Sequence, residues 1–468
     1  MNLTKIIGFS IGPIVSAAIG LISVPILTRI ILPEVYGQFS IVLLTIQFLT
    51  LFFLLGLDSG FCREYYEEES KRKVVVHTLI PNIVLFFLVL PIIYYIGEEL
   101  SFFIFGYNNI YILFYLMVSI LMLIVIRYQQ LIFRMEGSSF LYSLTIIIQA
   151  FVNFITIITC ILQFNVEPIK ALVISQMVSG IILLIFSFFY NINSGGIWIK
   201  NNIVLDMFFL IRLLKYSFPM FVSSIVMWFM YSSGQYLLSF LSSPKELGIY
   251  AAAYKLCAVL LVIQMIVVTF WTPLSLKFHK ENKSVEIFQL CFDVAVLVTW
   301  LLFIFIFASR NILVEILSPE YIGAVKIITV LSLFPIFLIL SEIGSVGLVI
   351  KRETTKILYI SILCSAISFL TSWLLIPIFG ALGAAGSLTI SMLLYSMLRI
   401  KYSNIIWNRI SLKVVYLFIA SVLITLGGDI FFDSNMNFIS ISISIFAVFT
   451  YILIVLKRKS KNREVLCD

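Results

Sequence analysis

The sequence predicts an all-α polytopic membrane protein of about 14 transmembrane helices, built as two similar halves. Three observations carry this. The 468 residues are 62% hydrophobic and only 12% charged, with a mean hydropathy of +1.12. A soluble interior has no room to hide that much apolar surface. The apolar residues also come in continuous runs of about 20, which fit helices crossing a bilayer; barrel strands would alternate. Finally, Pro33-Glu34-Val35-Tyr36-Gly37-Gln38-Phe39 has an echo in Pro244-Lys245-Glu246-Leu247-Gly248-Ile249-Tyr250. A second pair, Arg134-Met135-Glu136-Gly137 and Lys351-Arg352-Glu353-Thr354, follows a long apolar run in each half at a similar spacing. Period and order agree, as a duplicated unit requires.

Breaks fall where polar residues and prolines cluster. The N-terminal half, 1–190, holds helices at 6–28, 38–61, 75–97, 108–131, 140–163 and 170–190. The first is long enough to span and lacks a convincing cleavage site, so it reads as a retained helix and not a signal peptide. A polar, amphipathic connector at 191–216 follows. The second half, 217–401, holds helices at 217–241, 248–275, 286–309, 322–349, 356–376 and 382–400. Two more are expected within 413–456, at 413–427 and 438–456, before a basic tail at 457–468.

Charge orients these spans. With the N-terminus inside, all but six of the 31 Lys and Arg fall on inward segments. The exceptions are Arg29, Lys170, Lys245, Lys255, Arg310 and Lys326. Cytoplasmic loops carry the Lys and Arg excess, so an even helix count with both termini in the cytoplasm is expected. Reporter fusions at Ser194 and Lys461 should both read cytoplasmic; an external signal at either would sink the fourteen-helix scheme. The net charge of +8 therefore reflects topology, and no nucleic-acid partner is expected. Every outward loop is short, so there is no external domain.

Several chemistries lack their residues. No Gly-x-x-x-x-Gly-Lys-Ser/Thr or His-Glu-x-x-His occurs, and no Asp-x-Asp that could hold a metal and a sugar nucleotide. Gly8-Phe9-Ser10-Ile11-Gly12 imitates a nucleophile elbow but lies inside the first helix, where small residues let helices approach. The two histidines, His77 and His279, are far apart, and the six cysteines are scattered. No metal, no cofactor and no catalytic residue is expected.

Ionisable residues in or near spans are the candidates, because charge in hydrocarbon is costly and usually faces a bundle interior or a wet cavity. Lys255 lies roughly 10 Å beyond Gly248 at 1.5 Å per residue; it either snorkels or faces a cavity. Arg29 ends the first helix, and Asp58 and Arg63 end the second. Asp293 and Glu342 lie deeper, as candidates for ion or proton coupling or as structural partners of a cation. Gln47, Gln149, Asn153, Gln176 and Gln264 either line a polar cavity or hydrogen-bond between helices; for most of them the second is expected. The small-residue run from Pro377 to Gly386 reads as a close helix contact.

The turn from Arg29 to Phe39, the Gly56-Leu57-Asp58…Arg63-Glu64-Tyr65-Tyr66 stretch, the helix start from Tyr250 to Lys255 and the Pro377-to-Gly386 run together resemble the polysaccharide-exporter family that contains the Wzx-type O-antigen flippases, relatives of MATE-type multidrug exporters and lipid II flippases. The resemblance implies two six-helix lobes around a central cavity, with two helices appended. It implies a flippase in the bacterial cytoplasmic (inner) membrane, moving undecaprenyl-pyrophosphate-linked oligosaccharide, an O-antigen or capsule repeat unit, by alternating access. It also implies cavity cations, which Arg29, Arg63 and Lys255 fit best. Arginine and lysine would supply counter-charge to a pyrophosphate that cannot cross hydrocarbon unaided. Implied partners are the lipid-linked substrate and membrane lipids, with a polysaccharide polymerase and chain-length regulator as candidates. Two other readings stand beside it. A membrane glycosyltransferase or polymerase is disfavoured by the short outer loops. A drug or cation antiporter on the same fold is disfavoured by cationic rather than acidic cavity candidates.

Overall fold

The computed structural model describes residues 3–193, 206–407 and 409–431. Among the described residues every regular element is helical, and 12 helices are long and apolar enough to cross a membrane. The chain is a multi-pass membrane protein. The expected helix at 438–456 lies outside the described residues.

The order begins α1 (Leu3–Ile30), α2 (Pro33–Leu54), α3 (Leu57–Glu64), α4 (Lys71–Tyr95), α5 (Gly97–Phe105), α6 (Ile110–Met135), α7 (Ser139–Leu162) and α8 (Pro168–Asn193). It continues with α9 (Met207–Leu241), α10 (Pro244–Cys257), α11 (Leu260–Lys280), α12 (Val285–Glu315) and a 3-10 turn at Pro319–Tyr321. The last are α13 (Ala324–Leu331), α14 (Leu333–Gly344), α15 (Val346–Ile350), α16 (Thr354–Phe379), α17 (Ala381–Ile406) and α18 (Lys413–Phe431).

Starts are set by local chemistry. Pro33 and Pro244 each open a helix, where the missing N–H costs nothing. Ser70, Asn109 and Asp206 cap α4, α6 and α9 by accepting the backbone N–H three residues on.

Several expected spans are more broken than read. The second starts at Pro33 rather than 38 and stops at Leu54, because Leu55 (φ 49°) and Gly56 (φ 68°) are left-handed. A side chain on Gly56 would also meet the Ser217 carbonyl oxygen at 2.4 Å, so glycine alone suits this corner. The span read at 248–275 opens at Pro244 and is interrupted between Cys257 and Leu260. The span at 322–349 is three helices, separated at Ser332 and Ser345. Short α5 was not foreseen. The connector read at 191–216 is helical from Met207 onward, so α9 is 35 residues long. Its first turns are the amphipathic part.

Packing divides the chain into two compact units, Met1–Ala251 and Ala252–Asp468. The division falls inside α10 and not in the connector, because α9 packs on α2, α3 and α4. In the first unit α1 lies along α7: Ser143 Oγ donates to the Gly8 carbonyl, and Gly12 N–H donates to Ser143 Oγ at 3.1 Å. The Gly-x-Ser-x-Gly run is thus a helix contact. The two copies of the repeated turn also lie within this unit, packed on each other: Gly37 and Gly248 face across the starts of α2 and α10. In the second unit the span made of α13 and α14 is central, 83% buried, whereas α7 in the first unit buries only 17%. Many large apolar side chains, such as Leu88, Phe189 and Leu374, point outward. Lipid tails solvate them at no cost.

Candidate functional site

Inside the first unit lies a cavity of about 560 Å³. Helical stripes build it. Leu43, Ile46, Gln47, Thr50, Leu51 and Leu54 line one wall from α2, at the spacing of three and four that keeps residues on one face. Leu123, Ile126, Arg127 and Gln130 do the same from α6, and Ile146, Gln149, Ala150 and Asn153 from α7. Ser16, Gln176, Phe221 and Ser224 complete it from α1, α8 and α9, while Asp58 and Ser59 reach in from α3.

The break at Gly56 is what places Asp58. It starts a fresh helix and turns the carboxylate toward α6, where Arg127 Nη2 lies 3.2 Å from Asp58 Oδ2. The other oxygen accepts the Ser59 N–H at 2.9 Å. These are the one acidic and the one basic side chain in the lining, so the wall is close to neutral overall.

The remaining polarity is amide. Among the described residues, none of the side chains of Gln47, Gln130, Gln149, Asn153 and Gln176 makes a hydrogen bond to the protein, and the buried Asn153 Oδ1 has no partner. Leaving such a group unsatisfied costs about 1–3 kcal/mol. A volume near 560 Å³ gives water room to satisfy them, at roughly 30 Å³ per molecule. The expectation for these amides is therefore corrected. Four of the five foreseen, Gln47, Gln149, Asn153 and Gln176, line the cavity and do not bridge helices. The fifth, Gln264, belongs to the other unit. Arg127 and Gln130 were missed as site residues; their spacing of three on one helix was the available signal.

A clamp on α9 holds the wall that carries Phe221 and Ser224. Buried Glu64 pairs with Arg212 at 2.8 Å, and Lys73 with Asp206 at 3.0 Å. Two cations lie against the Phe209 ring, Lys73 Nζ at 4.7 Å and Arg212 Cζ at 4.9 Å from its centre. Buried His77 accepts the Asp206 N–H at Nε2, 2.7 Å away, which leaves Nδ1 to donate to the Lys73 carbonyl at 2.8 Å. The N-cap bond from Phe209 N–H, and then Lys73, hold the Asp206 carboxyl below the ordinary carboxylate value. Burial pushes the nearby Tyr65 hydroxyl up to about 12.

The other foreseen residues are dispersed. Arg29 is exposed in the last turn of α1, and Arg63 is exposed with its guanidinium 4.3 Å from the centre of the Tyr216 ring. Neither lines the cavity. Lys255, in the last turn of α10, is half-buried and makes no hydrogen bond or ion pair among the described residues. Asp293 is buried on α12 and accepts from Gln289 Nε2 at 2.7 Å; Gln289 also holds the backbone of Ser411. Glu342 on α14 forms a two-point ion pair with Arg399 on α17, at 2.7 and 3.4 Å. No cluster of metal-binding side chains occurs among the described residues.

Among the described residues the class is set by 12 helices long and apolar enough to cross a membrane and by a polar cavity within the first unit: a multi-pass helical membrane protein. The chain is similar to the lipid II flippase MurJ in its inward closed conformation, with a TM-score of 0.73 and 15% identity over 96% of this chain and 99% of that one. It is similar to a MATE multidrug resistance transporter of the MOP superfamily, inward-facing, with a TM-score of 0.66 and 13% identity over 86% and 94%. The outward-facing conformation of a MATE transporter gives 0.56 and 15% over the same shares. By sequence, no curated protein matches. The family described as polysaccharide biosynthesis protein matches residues 3–279, more than half of the 468. The chain belongs to that family.

Proposed function

We propose that this protein is a flippase for lipid-linked oligosaccharide, carrying an undecaprenyl-pyrophosphate-bound glycan from the cytoplasmic to the outer leaflet of the bacterial inner membrane. The observation that carries the reading is a roomy, amide-lined cavity inside the membrane-spanning part of a polysaccharide biosynthesis family member. Hydrocarbon rejects hydroxyls and charge. A polar cavity in a bundle of apolar helices has a use where such groups must pass. The fold likeness to a lipid II flippase supports the same class of cargo. Passage would proceed by alternating access, without catalysis, with both termini cytoplasmic. A polymerase and a chain-length regulator are the candidate partners.

Arg29, Arg63 and Lys255 are the proposed counter-charges for the pyrophosphate, with Asp58, Asp293 and Glu342 as candidates for ion coupling. Lys255 is the strongest cation: half-buried in a transmembrane helix without an ion-pair partner among the described residues. Lys255→Ala is expected to abolish glycan export at normal expression, and Lys255→Arg to retain part of it, since charge survives with altered geometry. Full export by the alanine variant would overturn the assignment of Lys255. Proteoliposomes that flip the lipid-linked glycan without nucleotide test the function itself. Transport of organic cations and no glycolipid would instead favour a multidrug exporter on this fold.

A further inference from the structure

We infer that the cavity of the first unit is a subsite for an uncharged, hydroxyl-rich ring, a sugar residue of the transported glycan, and that Gln47, Gln130, Gln149, Asn153 and Gln176 read its hydroxyls. The inference rests on the flippase reading and names the part of the substrate this cavity takes.

Chemistry in the wall decides the class. An amide offers both donor and acceptor, and so does a sugar hydroxyl. Five such amides, unpaired within the described protein, surround one volume of about 560 Å³. A pyrophosphate only accepts and seeks cations. Arg127, the cation in the lining, is already held by Asp58 at 3.2 Å. A free organic cation fares no better, because that same carboxylate is engaged. Between the amides stand Leu43, Ile46, Leu51, Ile146 and Phe221, apolar surfaces suited to the C–H faces of a ring. Convergent polar groups among apolar walls are how ligand pockets set orientation. A site built to hydrogen-bond hydroxyls discriminates strongly, because a wrong ligand leaves its amides unpaired. The cavity is thus set for recognition of the glycan, separate from the cations proposed for its anionic link.

Saturation-transfer NMR on the purified full-length protein in a sugar-free detergent tests this, with N-acetylglucosamine, glucuronate and glucosamine as probes. The neutral sugar is expected to give a signal about tenfold above either charged one. Gln149→Met and, separately, Asn153→Leu should each reduce that signal at least about fivefold. Their melting temperatures should hold or rise, since the lost amides have no protein partner. Equal signals from all three sugars, no signal from the neutral one, or a variant that melts earlier with sugar binding intact would overturn the subsite. Undecaprenyl pyrophosphate binding separates the two ideas. Its retention by Gln149→Met and loss in Lys255→Ala leaves the flippase reading standing whatever the sugars do. Sugar binding without any binding of the lipid pyrophosphate would sink the flippase reading and keep the subsite.

Discussion

Gly248→Ala is expected to abolish the folded protein. A β-carbon on Gly248 would lie 1.7 Å from the Pro33 carbonyl oxygen and 2.4 Å from its carbon. Both are backbone atoms at the start of α2, so no side-chain rotation relieves the overlap. The helix starts would have to separate and give up the contact between the repeated turns. A loss on the order of 4 kcal/mol or more is expected, at the extreme of single substitutions. Gly386→Ala is the control, because nothing lies within 4 Å of its added carbon. Detergent-solubilised Gly248→Ala should aggregate or melt far below the parent, while Gly386→Ala stays within a degree or two, as ordinary neutral substitutions do. A monodisperse Gly248→Ala protein with the parent's melting temperature would show that the close approach is not needed.

Arg399→Met should cost about 3–5 kcal/mol, because it strands Glu342 in the interior of the second unit without its counter-charge. Arg399 is 4% exposed and Glu342 22%, and their two-point contact at 2.7 and 3.4 Å is joined by the Tyr395 hydroxyl at 3.3 Å from Nη1. Removing both charges tells a different story. Arg399→Met with Glu342→Met should recover most of the lost thermal stability, since a packed apolar pair can replace a buried ion pair. Transport then separates two roles for Glu342. If the carboxylate only answers Arg399, the double variant keeps the parent's transport activity. If it exchanges an ion during transport, the double variant is stable and inactive.

The repeated turn was legible in the sequence because it is local. Pro, a bulky residue and Gly at fixed offsets mark the start of a helix wherever they occur. That Gly37 and Gly248 face each other could not be read, since contact between positions so far apart is a matter of packing. Three of the helix breaks missed in the sequence share one cause. Gly56, Ser332 and Ser345 interrupt apolar runs without adding charge, and hydropathy sees only charge and length. The amphipathic connector was recognised as polar, but its helix from Met207 depends on Glu64, Lys73 and His77, which grip it from α3 and α4.

Composition and periodicity by themselves determined that this is a helical membrane protein with many spans and no local signature of nucleotide or metal chemistry. Those conclusions follow from transfer free energies that each segment carries alone. The tertiary structure decided which polar residues pair with one another and which line the cavity. Asp58 meets Arg127 across 69 positions, and Glu342 meets Arg399 across 57. Four glutamines and an asparagine scattered over four helices converge on one cavity. A buried amide with a partner and one without look the same in a sequence; only the packing of distant helices makes one of them available to a ligand.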